Sequence, residues 1–140
     1  MYELDTHLDD TTITYYLTEN KHILAVARYS IVYENYIKLL WFENFTYENK
    51  KPTKGLGRRL FFKSVRDIKN RFPHYKVLSL YPTRYNLNGK KLIYNNKLVN
   101  FYKRLGFMTF DEYKKNDNKI LGTELTLFSK DTLFFRISLK

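Results

Sequence analysis

Three runs of apolar and β-branched residues open the chain, separated by short polar breaks. Residues 11–18 are rich in Thr, Ile and Tyr, and Glu19-Asn20-Lys21 supplies a turn after them. Residues 22–32 form a second run, closed by Glu34-Asn35, and a third extends from 36 to about 47. Connections this short predict an antiparallel meander. On the third run Ile37, Leu39, Trp41, Glu43, Phe45 and Tyr47 alternate with Lys38, Leu40, Phe42, Asn44 and Thr46. Both sets are largely apolar, so the expected element is a central strand covered on both faces. Glu43 is then an acid among hydrophobic neighbours, and burial tightens a carboxylate's hold on its proton.

A polar stretch, 48–54, leads into Gly55-Leu56-Gly57 and a helical pattern. Leu56, Leu60, Phe61, Val65, Ile68 and Phe72 fall near one stripe, while Arg58, Arg59, Lys63, Arg66 and Lys69 take the remainder. Pro73 ends the helix, and 75–81 reads as a strand stopped by Pro82. Residues 83–91 contain Asn86, Asn88 and Gly89 and read as a loop. A second helix is expected from about 92 to 105, with Tyr94, Leu98, Phe101 and Leu105 as its apolar line and Gly106 as its cap. Residues 107–113 and 132–139 predict further strands, and 123–128 another. The expected fold is a single mixed α/β (α+β) domain over 1–140, with helices packed on a largely antiparallel sheet.

Composition agrees with a packed domain: 13 Tyr and 11 Phe join the aliphatic residues in a chain of 140. No apolar run reaches the roughly 18–20 residues of a membrane span, and the acidic, polar start does not resemble a secretory signal. The expectation is a soluble cytoplasmic protein with no membrane partner. Cysteine is absent, which removes disulfides and thiolate chemistry, and His7, His22 and His74 are too scattered to suggest a metal site. The net charge of +11 favours anionic partners: nucleic acid, acidic proteins or phosphorylated cofactors.

A glycine pair between strand and helix can hold a phosphate, because glycine admits close approach and the first helical N–H groups lack internal partners. Lys54, Arg58 and Arg59 add positive charge there. The same pair can equally be a packed helix start. A Walker A loop is absent, and the dinucleotide fingerprint would need a third glycine at Leu60.

The segment Lys54-Gly55-Leu56-Gly57-Arg58-Arg59-Leu60 resembles the acetyl-CoA loop of the GNAT superfamily of N-acetyltransferases, Gln/Arg-x-x-Gly-x-Gly/Ala. Asn95-Asn96-Lys97-Leu98-Val99-Asn100-Phe101-Tyr102-Lys103-Arg104-Leu105-Gly106-Phe107 is similar to that family's second signature. The resemblance implies that the backbone of Phe45, Thr46 and Tyr47 lies along the pantetheine arm. Thr53, Lys54, Gly55, Leu56, Gly57 and Arg58 would cradle the diphosphate, and Asn95 would contact the cofactor arm. Tyr102 matches the family tyrosine near the thioester sulfur, the candidate acid for the leaving thiolate; an amphipathic core tyrosine is the other reading. Glu43 is the candidate base for the attacking amine, against the alternative of a buried acid paired with Lys or Arg.

Pro52 stands where the pattern has Gln or Arg and offers no N–H, and Leu98 replaces a small residue. About ten residues precede the first strand read here, so the family's first strand and two following helices are expected to be shortened or missing. The acceptor site is then open, or completed by a loop such as 83–91 or by a second chain in a homodimer. An open site suits a macromolecular amine. The implied partners are acetyl-CoA as co-substrate and a protein lysine or N-terminus as acceptor, with no metal. The alternative is a non-catalytic basic module that holds nucleic acid or an acidic protein through Arg58, Arg59, Lys63 and Arg66.

Overall fold

The computed structural model describes residues 2–45, 54–85, 92–94, 96–116 and 121–137. The chain divides into two compact units, Met1–Tyr75 and Lys76–Lys140, and both combine antiparallel strands with helix. This is the mixed α+β architecture expected from the sequence.

The first unit holds four antiparallel strands in chain order: β1 (Glu3–Leu8), β2 (Thr12–Glu19), β3 (His22–Ser30) and β4 (Ile37–Asn44). A strand thus precedes the three that were expected and runs into them with no helix between, where a first strand and two helices were expected to be shortened or missing. Its sequence, Glu-Leu-Asp-Thr-His-Leu, carries charge at the edge of the sheet and is mostly exposed, so it has no apolar alternation to announce it. Between β2 and β3 the hairpin turns on Asn20 and Lys21, with φ of 51° and 68°. Two positive φ values in succession give the twist that matches paired strands.

Helix α1 (Leu56–Arg71) follows and stops ahead of Pro73, as the sequence predicts. It buries Leu60, Phe61 and Ile68 and is pinned by buried hydroxyls. The Tyr29 and Ser64 hydroxyls lie 2.6 Å apart, and Tyr15 donates to Asp67 at 2.6 Å. Tyr75 closes the unit by donating to the carbonyls of Ile31 and Tyr33 at 3.1 and 2.8 Å.

These contacts assign the faces of the sheet and reveal a slip in β4. Tyr29 faces α1 and is paired with Leu39, whereas Arg28 is paired with Trp41, so Leu40 is an extra residue on β4. This bulge reverses the alternation. Leu39 shares the helix side with Phe42, whose ring meets Phe61 at 6.3 Å, while Trp41, Glu43 and Phe45 lie on the other side. The uniform alternation read from the sequence therefore holds only up to the bulge. Beyond it Trp41, Glu43 and Asn44 are exposed, so this half of the strand is not covered on both faces.

In the second unit β5 (Val77–Leu80) pairs with β8 (Leu133–Arg136), and β6 (Thr83–Tyr85) with β7 (Leu92–Tyr94). The expected loop therefore begins in a strand, and β7 takes the place of the first turn expected of the second helix, so that α2 (Asn96–Leu105) starts later than the periodicity suggested. The run Leu92-Ile93-Tyr94, with a β-branched and an aromatic residue, suits a strand better than a helix start. The strand expected at 107–113 is instead one bridge, Met108 to Phe134, followed by α3 (Phe110–Asn116). Thr109 and Glu112 form a reciprocal cap: Thr109 N–H donates to Glu112 Oε1 at 3.0 Å, and Glu112 N–H donates to Thr109 Oγ1 at 3.2 Å. Segment 123–128 lies largely in a 3-10 helix (Gly122–Leu127), not a strand. The core of this unit gathers Phe110, Tyr113 and Phe128 around Phe134.

Candidate functional site

The two glycines at the start of α1 act differently. Gly55 is the cap residue, with φ of 88° and open space where a Cβ would stand. An L side chain is strained at that φ, so glycine is what lets the chain turn into the helix. Gly57 instead presents its bare Cα to β4. A Cβ there would lie 3.3 Å from Asn44 Oδ1 and 3.4 Å from the Phe42 ring. The close approach that Gly57 allows is thus of helix to strand, which sets the open end of α1 against the end of β4.

That helix end has the features of an anion site. No side chain caps it and its first turn contains no acid. Arg59 N–H is bonded to Gly55 O at 3.0 Å; the N–H groups before it lie where no carbonyl of α1 can accept them. Together with the helix dipole they favour negative charge. Lys54 and Arg58 are exposed beside this end. Arg58 is held 5.0 Å over the Phe62 ring one turn on, and Arg59 lies 5.1 Å over Tyr2.

At the end of β4, Phe45 N–H donates to Leu24 O at 2.8 Å, so it is committed to the sheet. Backbone groups alternate in direction along a strand, which turns those of Asn44 away from β3. Glu43 is exposed, and its Oε1 accepts the Trp41 indole N–H at 3.0 Å. The hydrophobic enclosure expected around Glu43 is absent, because the bulge and the exposed outer half of β4 leave it on an open face. Trp41 in turn meets Phe45 edge-on at 6.1 Å and carries Arg28 over its ring at 5.1 Å.

Tyr102 belongs to the second unit, in the last turn of α2, and is 7% exposed. Its position is fixed by the way the helix ends. Phe107 N–H donates to Tyr102 O at 3.1 Å, and Gly106 N–H to Lys103 O at 3.0 Å, with φ of 116° at Gly106. This is the Schellman arrangement, completed by the Tyr102–Phe107 ring contact at 5.4 Å. A Cβ on Gly106 would lie 3.1 Å from the Phe135 ring, a second reason for glycine. Burial pushes the Tyr102 phenol up to about 12.

Of the site residues named from the sequence, Glu43, Phe45, Lys54, Gly55, Leu56, Gly57 and Arg58 belong to the first unit and Tyr102 to the second. Thr46, Tyr47, Thr53 and Asn95, with Pro52, lie outside the described residues. Two neighbours of these residues were not among those named. Asn44 is a polar residue on an apolar strand, a signal the sequence did offer; Arg28 becomes visible only once the register places it beside Trp41. Among the described residues no group of His, Asp and Glu could hold a metal ion, and no helix is long and apolar enough to cross a membrane.

No family model and no curated protein matches the chain. Solved structures do. A Desulfovibrio desulfuricans protein assigned to the GNAT family of acetyltransferases aligns at TM-score 0.51 and 21% identity, over 71% of this chain and 56% of its own. The ribosomal-protein-S18-alanine N-acetyltransferase of Escherichia coli aligns at 0.57 and 17%, over 95% of this chain and 74% of its own.

The fold is that of the GNAT acetyltransferases.

A further GNAT structure, from Elizabethkingia anophelis with acetyl-CoA bound, aligns at 0.57 and 14% identity over 96% of this chain and 97% of its own. The chain thus matches nearly the whole of one GNAT protein and little more than half of another.

Proposed function

We propose that this chain is an acetyl-CoA-dependent N-acetyltransferase that acts on a primary amine of a macromolecule, a protein lysine or N-terminus. The observation that carries the reading is the abutment of Gly57 on Asn44 and Phe42, which sets an uncapped, acid-free helix start beside the end of β4. The GNAT fold and an acetyl-CoA complex among its members support the same ligand. The diphosphate would sit on the first N–H groups of α1, with Lys54 and Arg58 adding charge.

In the reaction proposed, the neutral amine attacks the thioester carbonyl, the C–N bond forms and the C–S bond breaks. Glu43 takes the amine proton, directly or through water, and the β4 backbone stabilises the oxyanion. Tyr102 serves the leaving thiolate. A phenol at about 12 is a weaker acid than a thiol at about 8.5, so full proton transfer to sulfur is uphill. Tyr102 is therefore assigned as a hydrogen-bond donor that stabilises the departing thiolate, with solvent supplying the proton.

Calorimetry with acetyl-CoA and a thiol-release assay over a panel of amines test this reading. Binding in the micromolar range with amine-dependent release of thiol is expected. No heat at high micromolar acetyl-CoA would sink it. One observation favours a second reading: Arg59, Lys63 and Arg66 are exposed on α1, while the helix's one acid, Asp67, is drawn to Tyr15 and Arg71. Salt-sensitive binding of DNA or RNA without turnover would identify a non-catalytic basic module instead.

A further inference from the structure

The side of the first-unit sheet turned away from α1 carries an opposite-charge pair held apart by an indole. Arg28 stands half-buried towards the end of β3. Its Nε donates to the hydroxyl of buried Thr14 at 3.0 Å, and its guanidinium carbon lies 5.1 Å from the centre of the Trp41 ring. One nitrogen and the plane of the group are thereby fixed, which leaves the two terminal nitrogens as the working end. Glu43 is fixed from another direction, by the Trp41 indole N–H at 3.0 Å on Oε1, so that Oε2 remains for a ligand.

Arg28 is paired with Trp41 in the ladder, and Glu43 is two residues further along β4 on the same face. Diagonal neighbours of this kind lie about 7–8 Å apart, within reach of two long side chains. Each is nevertheless bonded to the indole rather than to the other. A cation over the ring and an anion at its edge, with Trp41 37% exposed between them, form a two-point receptor. An ammonium group answers Glu43. A carboxylate answers the guanidinium, whose donors suit a planar pair of oxygens.

On the reading that Glu43 receives the acceptor amine, we propose that the acceptor carries a carboxylate close to that amine, and that Arg28 binds it. The chemistry is that of an acid-flanked amine, found in a lysine or N-terminal residue beside Asp or Glu and in a free amino acid. Arg28 selects the acceptor, and Glu43 accepts the amine proton. Trp41 holds the two charges at a separation that a ligand can bridge.

The test is thiol release from acetyl-CoA with short peptides matched except for Asp, Ala or Lys beside the reactive amine, with free amino acids and with butylamine. Each substrate is run on the unaltered chain, on Arg28→Gln and on Arg28→Lys, with melting temperatures as a check on folding. Preference for the Asp peptide over the Ala peptide by about tenfold in kcat/KM is expected, the size of a charge-assisted hydrogen bond. In Arg28→Gln that ratio falls towards one, mainly through KM, and Arg28→Lys restores part of it. Better turnover of free amino acids than of peptides identifies the small molecule as the source, and the reverse identifies a protein. Equal rates with Asp and Ala peptides, or an Arg28→Gln loss shared by every substrate including butylamine, overturns the proposal while leaving the acetyltransferase reading intact. Absence of thiol release with every amine overturns both.

Discussion

Tyr102 is held by backbone, by ring packing and by burial at once, and its hydroxyl is the group that the proposed chemistry uses. The Schellman bonds use its carbonyl, and Phe107 uses its ring. Tyr102→Phe keeps both, so a role confined to the fold predicts little change in rate. The catalytic role predicts a fall in kcat of about 100-fold with KM for acetyl-CoA nearly constant, the scale of one lost hydrogen-bond donor to a developing charge. Steady-state kinetics beside a melting curve separates the two. The alignment of Tyr102 and Gly106 was legible in the sequence, because a helix stop with glycine at the left-handed position is a local device. The work of Gly57 was not. Its constraint comes from Asn44 and Phe42 on another element, and a glycine without strained φ shows no reason for itself in one dimension.

At the level of elements, the periodic segments were read correctly and the irregular ones were not. Strands β2 to β4 and helix α1 announce themselves by alternation or stripe, whereas β1 is an edge strand of polar residues. The bulge at Leu40 escaped because an inserted residue leaves the composition of a strand intact while it exchanges the faces. Misassignment of 107–113 had a visible remedy. Thr109-Phe110-Asp111-Glu112 is a capping-box sequence, and the apolar residues around it give the segment the look of a strand. Thr109→Ala leaves the first N–H groups of α3 without this acceptor and is expected to cost about 1 kcal/mol of stability. Chemical denaturation measures the loss, and an unchanged midpoint would show that α3 is carried by Tyr113 packing alone.

For the molecule as a whole, buried tyrosines set the response to alkali. The Tyr102 phenol is raised from 10.0 to about 12 by burial, and Tyr15 is raised by burial and by its bond to Asp67. Both hold their protons more tightly folded than unfolded. The contribution of Tyr102 is therefore complete below pH 10 and lost as pH rises through 10 to about 12, while that of Tyr15 begins to fall above pH 10. Melting temperature is expected to fall steeply in that window, and Tyr15→Phe should blunt the fall. A flat profile to pH 12 would contradict the assignment. At the acid end Asp9, lowered from 3.8 to about 2 by the N–H groups of Thr11 and Thr12, works in the opposite sense and is lost as pH drops through that range. The net charge of +11 was plain from composition, yet composition could not say where it acts. That required the fold, which turns Asp67 inward and leaves Arg59, Lys63 and Arg66 outside.

The chain has a single tryptophan, and it is Trp41. Its indole stands between Arg28 and Glu43, partly in water, at the end of the strand against which the helix start is packed. The protein therefore carries one indole fluorophore, placed where an arriving acceptor would alter both its solvent and its hydrogen bond. Indole emission, excited on the long-wavelength side of tyrosine absorption, reports on that face alone, undiluted by the 13 tyrosines.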